Sequence, residues 1–491
     1  MLNKTTPEAV GIRSCKVLGF IKTLDGCRLH THSIIMAKGD DIFAECYYKP
    51  FDEGFLHRMY SVSKSFITAA VGLAVTEGLL SLDDSVVKYF PEFRNENVDE
   101  YHEECTLRDM LSMRSNIGTG VSWWGRFASR VEAYYSLKTD KIPGTVYFYD
   151  SIGCFLLNCI IEKLTGKDFL EYLKEKVLLR IGFSKESYTL REPGGFTVGD
   201  SGVMCTSRDL LIFARLIMKR GEWDGVQYID RAFMEEAVKK QSHNDLDGNF
   251  DSYNNRGYGY LIWKTHPDGF SLVGMGDQLA VCDTKRDLTF VITSDNQGER
   301  GARHIIYHEY YKHFIEEVSD APLAPAPDDY AALEEYLGNR ELVSQYGEAE
   351  SPIAEAVSGV RYRAEKNSQG IKSFTLYLEE GREALDLEIG DRVYRLEFSK
   401  RKNMLTEFSF GQRARYDMMG VYEEGRYRTA ASGAWVEDNT FAILAQVIDT
   451  YFGCLAVHIS YKDERATLVI RRYGQYVFEE YGGYVIGKRE N

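Results

Sequence analysis

The sequence contains no run of roughly 18 apolar residues, so no helix is expected to span a bilayer. Its opening, Met1-Leu2-Asn3-Lys4-Thr5-Thr6-Pro7-Glu8, lacks the apolar stretch of a secretory signal. Positive charge is in the minority, because the formal net charge is -15. That balance argues against nucleic acid and anionic membrane surfaces as partners, and leaves a small molecule or short peptide as substrate. No Cys-x-x-Cys pair occurs among the nine cysteines (15, 27, 46, 105, 154, 159, 205, 282 and 454). They form an odd, scattered set, and Cys154 and Cys159 sit in apolar runs. They read as reduced core residues of a cytoplasmic protein. There is no Gly-x-Ser-x-Gly elbow, no phosphate-binding P-loop, no internal repeat and no low-complexity tract. His308-Glu309-Tyr310-Tyr311-Lys312-His313 misses the zinc spacing by one residue. His304 and His308 lack an evident third ligand and read as a solvated helix face. No metal and no cofactor is implied.

What is present is enough chain for more than one core. At 491 residues, two or three domains are expected. Proline is sparse, with ten in all, yet Pro322, Pro325 and Pro327 crowd together among alanines. A linker is therefore placed at 321–328, between one domain over 1–320 and another over 329–491. Residues 28–50 alternate about Lys38-Gly39-Asp40-Asp41 and read as a β-hairpin. Thr106-Leu107-Arg108-Asp109 and Thr206-Ser207-Arg208-Asp209 are capping patterns in a mostly helical stretch, 106–240. Strands return at 257–263, 270–281 and 288–293. The joints His266-Pro267-Asp268-Gly269 and Thr284-Lys285-Arg286-Asp287 have turn chemistry. A helix is expected over 301–317. Strands at both ends around a helical middle predict one antiparallel sheet flanked by helices, an α/β (α+β) fold with a helical subdomain. After a short helix at 330–336, strand-like segments at 373–378, 392–398, 455–461 and 466–470 predict a C-terminal all-β, barrel-like domain.

The organising stretch is Met59-Tyr60-Ser61-Val62-Ser63-Lys64-Ser65-Phe66 and the apolar run to Val75. A segment apolar nearly all round becomes a buried helix, here ending near Gly78 as its cap. If that helix begins near Ser61, then Ser61 and Lys64 share one face of its first turn. Free N–H groups and the positive end of the helix dipole then face the serine oxygen. An amine lies one turn away to take its proton. On spacing alone, Ser-x-x-Lys reads rather as a serine cap beside a solvated lysine. The all-apolar helix favours a lysine turned into a packed interior, where burial lowers its pKa toward a neutral, basic amine. Ser63 and Ser65 have no lysine three residues on. Trp123, Trp124 and Trp223 either line a cleft or pack.

Together these residues resemble the serine hydrolases of the class C β-lactamase and D,D-peptidase type, penicillin-binding-protein-like enzymes whose relatives include esterases and nylon-oligomer amidases. The resemblance covers roughly residues 5–317. Ser61-Val62-Ser63-Lys64-Ser65-Phe66 looks like the nucleophile motif, and Glu77-Gly78-Leu79-Leu80-Ser81-Leu82-Asp83-Asp84 is similar to the segment after it. Pro143-Gly144 leads into Tyr149-Asp150-Ser151, where the family has Tyr-x-Asn. Ile160-Ile161-Glu162-Lys163-Leu164-Thr165-Gly166 and Gly202-Val203-Met204-Cys205-Thr206-Ser207-Arg208-Asp209-Leu210 follow in the family's order. The resemblance implies acyl transfer. Ser61 attacks a carbonyl, Lys64 is the base, Tyr149 relays the proton, and water releases the acyl group. The Ser61 N–H and one from the strand holding Gly274, Met275 and Gly276 would form the oxyanion hole.

Two positions depart from that pattern. Ser151 stands at the asparagine, and its shorter side chain offers a substrate no amide. Leu272 stands where a cation is usual, in Leu272-Val273-Gly274-Met275-Gly276-Asp277-Gln278. The resemblance therefore implies weak or no β-lactamase activity and points toward esters, amides or D-amino-acid peptides. The glycines still let a substrate backbone approach. Trp263-Lys264-Thr265-His266 imitates the usual motif one hairpin early and is expected at the surface. Ser294-Asp295-Asn296, another imitation, is expected at a strand end. The run from Ser432 through Leu468 resembles lipocalin-like domains attached to such hydrolases. Two functions stay in view: a serine hydrolase with an accessory β domain, and a non-turnover sensor or interaction protein that binds a β-lactam or peptide. Hydrolysis of a small chromogenic ester separates them. The residues leave the natural substrate, the oligomeric state and the role of the β domain open.

Overall fold

The alternation around Gly39 produces a hairpin, and that hairpin is one end of a mixed sheet. In the computed structural model, β1 (Asn3–Lys4), β2 (Thr31–Lys38) and β3 (Asp41–Tyr47) join four later strands, β4 (Trp263–His266), β5 (Gly269–Gly274), β6 (Gln278–Asp283) and β7 (Leu288–Ser294). The order is β1-β3-β2-β7-β6-β5-β4. β2 pairs antiparallel with β7, Ile35 opposite Val291, which closes the sheet from both ends of the chain segment. The structure describes residues 2–118, 129–192, 195–245, 253–409, 416–417, 420–421, 426–474 and 482–490.

Strands β5, β6 and β7 are buried throughout, so helices must cover both faces. α1 (Ser14–Gly26) sets Phe20 edge-on to Phe290 of β7, at 5.4 Å between ring centres. α2 (Ser63–Thr76) is the apolar run, and its Phe66 ring stacks 3.6 Å from Phe213. Phe213 belongs to α4 (Ser207–Met218), which packs on β2, β6 and β7. Before α4 comes α3 (Ser151–Thr165), and after β7 come α5 (Ala302–Tyr310) and α6 (Pro327–Gly338). Thr106 and Thr206 form the expected capping boxes with Asp109 and Asp209. Gly78 turns left-handed, φ 70°, just beyond α2. His304 and His308 are exposed on α5.

Three expected boundaries move. The stretch 270–281 is two strands, because Gly276 and Asp277 both adopt left-handed backbone (φ 74° and 68°) and turn the chain. The strand expected at 257–263 begins only at Trp263, after left-handed Leu261 (φ 52°). The linker placed at 321–328 does not separate the compact units. Pro327 opens α6, where its missing N–H goes unused. Leu333 and Leu337 bury into the first core, and Tyr336 and Arg340 both bind Asp25 of α1, at 2.6 and 2.7 Å. The first unit accordingly holds Met1–Ser294, Gly301–Glu341 and Tyr416–Gly420, and the second holds Asp295–Arg300, Leu342–Arg415 and Val421–Asn491.

The second unit is a nearly closed barrel, antiparallel except where Ser399–Lys400 runs parallel to its neighbour. Its strands are β8 (Arg361–Ala364), β9 (Ile371–Tyr377), β10 (Ala384–Ile389), β11 (Arg392–Glu397), β12 (Ser399–Lys400), β13 (Met404–Ser409), β14 (Arg426–Glu437), β15 (Thr440–Val447), β16 (Cys454–Lys462), β17 (Arg465–Tyr473) and β18 (Gly483–Arg489). The order runs β11-β10-β9-β8-β18-β17-β16-β15-β14-β12, with β13 also on β14. β11 and β13 come together at the seam. Phe398, Trp435, Phe441 and Tyr461 fill the interior. Among the described residues, no helix is long and apolar enough to cross a membrane.

Candidate active site

Ser61 does not lie in α2 itself. It occupies a tight 3-10 turn, Tyr60–Val62, that feeds the helix, and Tyr60 before it is left-handed at φ 46°. A non-glycine residue held there stores local strain, which is common at functional positions. The Met59 N–H, donating to the Val203 carbonyl at 2.9 Å, anchors the turn. The other hydroxyls of the motif serve the scaffold. Ser63 Oγ accepts from the Val203 N–H at 3.0 Å, and Ser65 Oγ donates to the Leu261 carbonyl at 2.8 Å. Ser61 alone of the three stays half-buried rather than buried.

Lys64 is 1% exposed, as the apolar helix demands. Its Nζ donates to Ser61 Oγ at 3.0 Å and to the Asp200 carbonyl at 2.9 Å. The expectation of a lowered lysine pKa fails here. Burial pushes Lys64 down, but its interactions with Tyr149 and with the Asp200 carboxylate outweigh burial and hold it raised. Asp200 is itself kept ionised. Burial pushes its carboxyl up, and Arg130 and Lys64 more than reverse this, leaving it lowered. Arg130 Nη1 meets Asp200 Oδ1 at 2.6 Å, and its Nε meets Glu192 at 3.2 Å. The Arg130 guanidinium lies 3.6 Å over the Phe155 ring, so this ion cluster is fully enclosed. Nothing in the spacing of Arg130, Glu192 and Asp200 announced it.

Tyr149 is brought to the same place by α3. Asp150 caps that helix, accepting from the N–H groups of Ile152 and Gly153 at 2.8 and 2.9 Å. Its carboxyl is buried, and burial raises its pKa. The Tyr149 ring centre lies 5.1 Å from Lys64 Nζ. Trp263 stacks on Tyr149 at 5.7 Å, and Tyr258 meets Tyr149 edge-on at 6.3 Å while packing 4.9 Å from Trp263. Trp263 and Thr265, expected at the surface, are buried, because β4 tucks beneath this aromatic wall. Ser151, half-buried, is the first residue of α3. Trp223 is packed in the core, and Trp123 and Trp124 lie outside the described residues.

β5 runs beside the Ser61 turn. Gly274 is required there, since a Cβ would sit 2.4 Å from the Met59 carbonyl oxygen. Met275 and Gly276 follow in the turn to β6. Buried Gln278 donates to the Met275 carbonyl at 2.9 Å and to the Ser294 carbonyl at 2.6 Å. Ser294 ends β7, as expected of a strand end, and its hydroxyl reaches the carbonyls of Gly276 and Asp277 at 2.7 and 2.9 Å. A hydroxyl, a lysine, a phenol and a glycine-bearing strand edge thus converge, a set able to activate an oxygen nucleophile beside backbone donors. Among the described residues, no group of His, Cys, Asp and Glu could hold a metal ion.

The β-lactamase family model matches residues 23–310, well over half of the chain. The chain belongs to the β-lactamase family. One relative is a 6-aminohexanoate-dimer hydrolase of Paenarthrobacter ureafaciens, 23% identical over 266 residues, or 50% of this chain and 67% of that protein. Another is the esterase EstB of Burkholderia gladioli, 24% identical over 168 residues, covering 30% of this chain and 43% of that one. A solved structure assigned as a 6-aminohexanoate-dimer hydrolase of Bacillus anthracis matches with a TM-score of 0.54 at 19% identity, over 65% of this chain and 88% of that chain. The match thus spans about two thirds of one curated relative and less than half of the other. This β-lactamase-family chain is of a hydrolase kind, with amidase and esterase relatives.

Proposed function

We propose that the chain is a serine hydrolase that forms an acyl-enzyme on Ser61 and acts on an ester, an amide or a D-amino-acid peptide. The carrying observation is the 3.0 Å contact between buried Lys64 Nζ and Ser61 Oγ, with the Tyr149 ring centre 5.1 Å from the same Nζ. In this reading Ser61 is the nucleophile. Lys64 keeps its proton, because Tyr149 and Asp200 hold it raised. The lysine therefore carries charge between Ser61 and Tyr149 instead of waiting as a neutral base. The reactive form is the one in which the coupled Lys64–Tyr149 pair has lost one proton. The serine proton enters that pair as Oγ attacks the carbonyl carbon. The oxyanion is met by the N–H groups of Ser61 and Met275. Collapse of the oxyanion breaks the bond to the alcohol or amine, which leaves with that proton from the pair. Water then repeats the sequence on the acyl-enzyme, its proton passing through the pair to the leaving serine.

The 6-aminohexanoate-dimer hydrolase and esterase names among the relatives support the substrate class. Leu272, buried in β5, supplies no charge to anchor a β-lactam carboxylate, which supports weak β-lactamase activity. The first domain supplies the proposed chemistry, and the barrel an accessory function. Intact-protein mass spectrometry after a fluorophosphonate probe tests the reading, with Ser61→Ala and Lys64→Ala beside the wild type. One adduct on Ser61, lost in both variants, is expected. No adduct on well-folded wild-type protein would overturn it.

A further inference from the structure

Oxyanion catalysis needs donors that are already aimed, because reorganisation during the reaction weakens them. The turn between β5 and β6 is short and carries two left-handed residues, Gly276 and Asp277, so its peptides need external restraint. That restraint is unusually complete. Gly274 O accepts from the Asp277 N–H at 3.2 Å. Met275 O accepts from Gln278, and Gly276 O and Asp277 O share the Ser294 hydroxyl. All four carbonyls of the turn are therefore held.

One clamp is charged and comes from outside the sheet. Arg303, in the first turn of α5, donates from Nε to Asp277 Oδ1 at 2.8 Å. Its Nη2 reaches Gly274 O at a longer 3.4 Å. The guanidinium thus bridges the two ends of the turn. A planar fork can do this, and a lysine ammonium cannot make both contacts with the same geometry. The Gly274–Met275 peptide is planar and trans, so the Met275 N–H leaves on the side opposite the Gly274 carbonyl. The carbonyl faces β6 and Arg303. The N–H is left for the edge of β5 that passes Met59 and Ser61, where Gly274 makes its close approach. A carbonyl held by a cation polarises its own peptide and strengthens the N–H as a donor. Asp277 neutralises the guanidinium, so the turn gains donor strength without a net charge to attract anions.

We infer that Arg303 is a positioning residue for the oxyanion hole, aiming and polarising the Met275 N–H through its contacts with Gly274 O and Asp277. The inference rests on the reading of Ser61 as the nucleophile.

The test is ester turnover, with kcat and KM measured separately for wild type, Arg303→Lys, Arg303→Gln and Arg303→Gln/Asp277→Asn. Fluorophosphonate labelling of wild-type Ser61 and thermal unfolding of every variant accompany it. Arg303→Gln should lower kcat roughly ten- to a hundredfold with KM unchanged, less than the loss of a direct donor. Arg303→Lys should keep the ion pair and the unfolding midpoint yet recover only part of kcat. Adding Asp277→Asn should cause little further loss, because the pair acts as one unit. Unchanged kcat in Arg303→Lys and in folded Arg303→Gln, with labelled wild type, overturns this inference alone. An unlabelled wild type removes the nucleophile and both readings with it.

Discussion

Acid should destabilise the first unit through a buried histidine pair behind the Ser61 turn. His32 of β2 and His57, of the short strand His57–Arg58, are both buried, with His32 Nδ1 and His57 Nε2 only 2.8 Å apart. His57 Nδ1 donates to the Arg58 carbonyl at 2.9 Å, so its Nε2 is the acceptor for His32 and both rings are neutral. The Phe51 ring stacks 4.0 Å from His32. Burial, partly opposed by the Arg58 carbonyl, pushes His57 down to about 3. His32 is lowered as well, by burial and by the neighbouring His57 and His30. In the unfolded chain each titrates near about 6.5. The unfolded state then binds protons that the folded state refuses. The stability is fully present above about pH 6.5 and is lost progressively as pH falls toward 3. At pH 5, some 1.5 units below the unfolded value, His57 alone removes about 2 kcal/mol. Denaturant unfolding at pH 7.5 and pH 5 measures this, with His57→Gln as the comparison. The variant starts less stable but should lose about 2 kcal/mol less on acidification. Equal losses in wild type and variant, or a His57 resonance titrating near 6.5 in the folded protein, would refute the reasoning.

Three further outcomes follow from the site. Ser61→Ala and Lys64→Ala should each reduce ester turnover by about a thousandfold or more, whereas Ser63→Ala and Ser65→Ala should lower the unfolding midpoint and leave Ser61 labelling intact. Gly274→Ala should cut the labelling rate by at least about tenfold, because its Cβ would press on the Met59 carbonyl at 2.4 Å and force β5 away from Ser61. The acylation rate should rise with pH as the Lys64–Tyr149 pair gives up its proton. Asp200→Asn, which removes a carboxylate that holds Lys64 raised, should shift that rise to lower pH.

Much of the fold could be read directly because its signals are local. The two capping boxes, the hairpin about Gly39 and the uninterrupted apolar run of α2 each lie within one short window, and each forms. The adjacency of Ser61 and Lys64 is likewise a matter of spacing, since residues three apart on one helical face meet. The strand expected over 270–281 failed for the opposite reason. Its apolar residues carry the right pattern, but the left-handed pair Gly276–Asp277 reverses the chain within it. The linker failed because proline marks the first turn of a helix as readily as a spacer, and only Leu333 and Leu337 meeting the first core decides between them.

The charge state of Lys64 shows where reading along the chain stops. From its own segment, burial is the only force in view, and burial alone lowers a lysine. The opposing influence comes from Tyr149 and from Asp200, the latter held by Arg130, all far along the chain. Trp263 behind Tyr149, Gln278 and Ser294 on the turn, and Arg303 behind Gly274 are contacts of the same kind. By itself the sequence determined the hairpin about Gly39, the capped helices and the buried run of α2, which hydroxyl has a lysine beside it, and which glycines a backbone must approach. Those depend on periodicity, caps and local spacing. Only the tertiary structure decided which charges surround the lysine and what holds the strand against the serine, because electrostatic and hydrogen-bond partners are set by proximity in space.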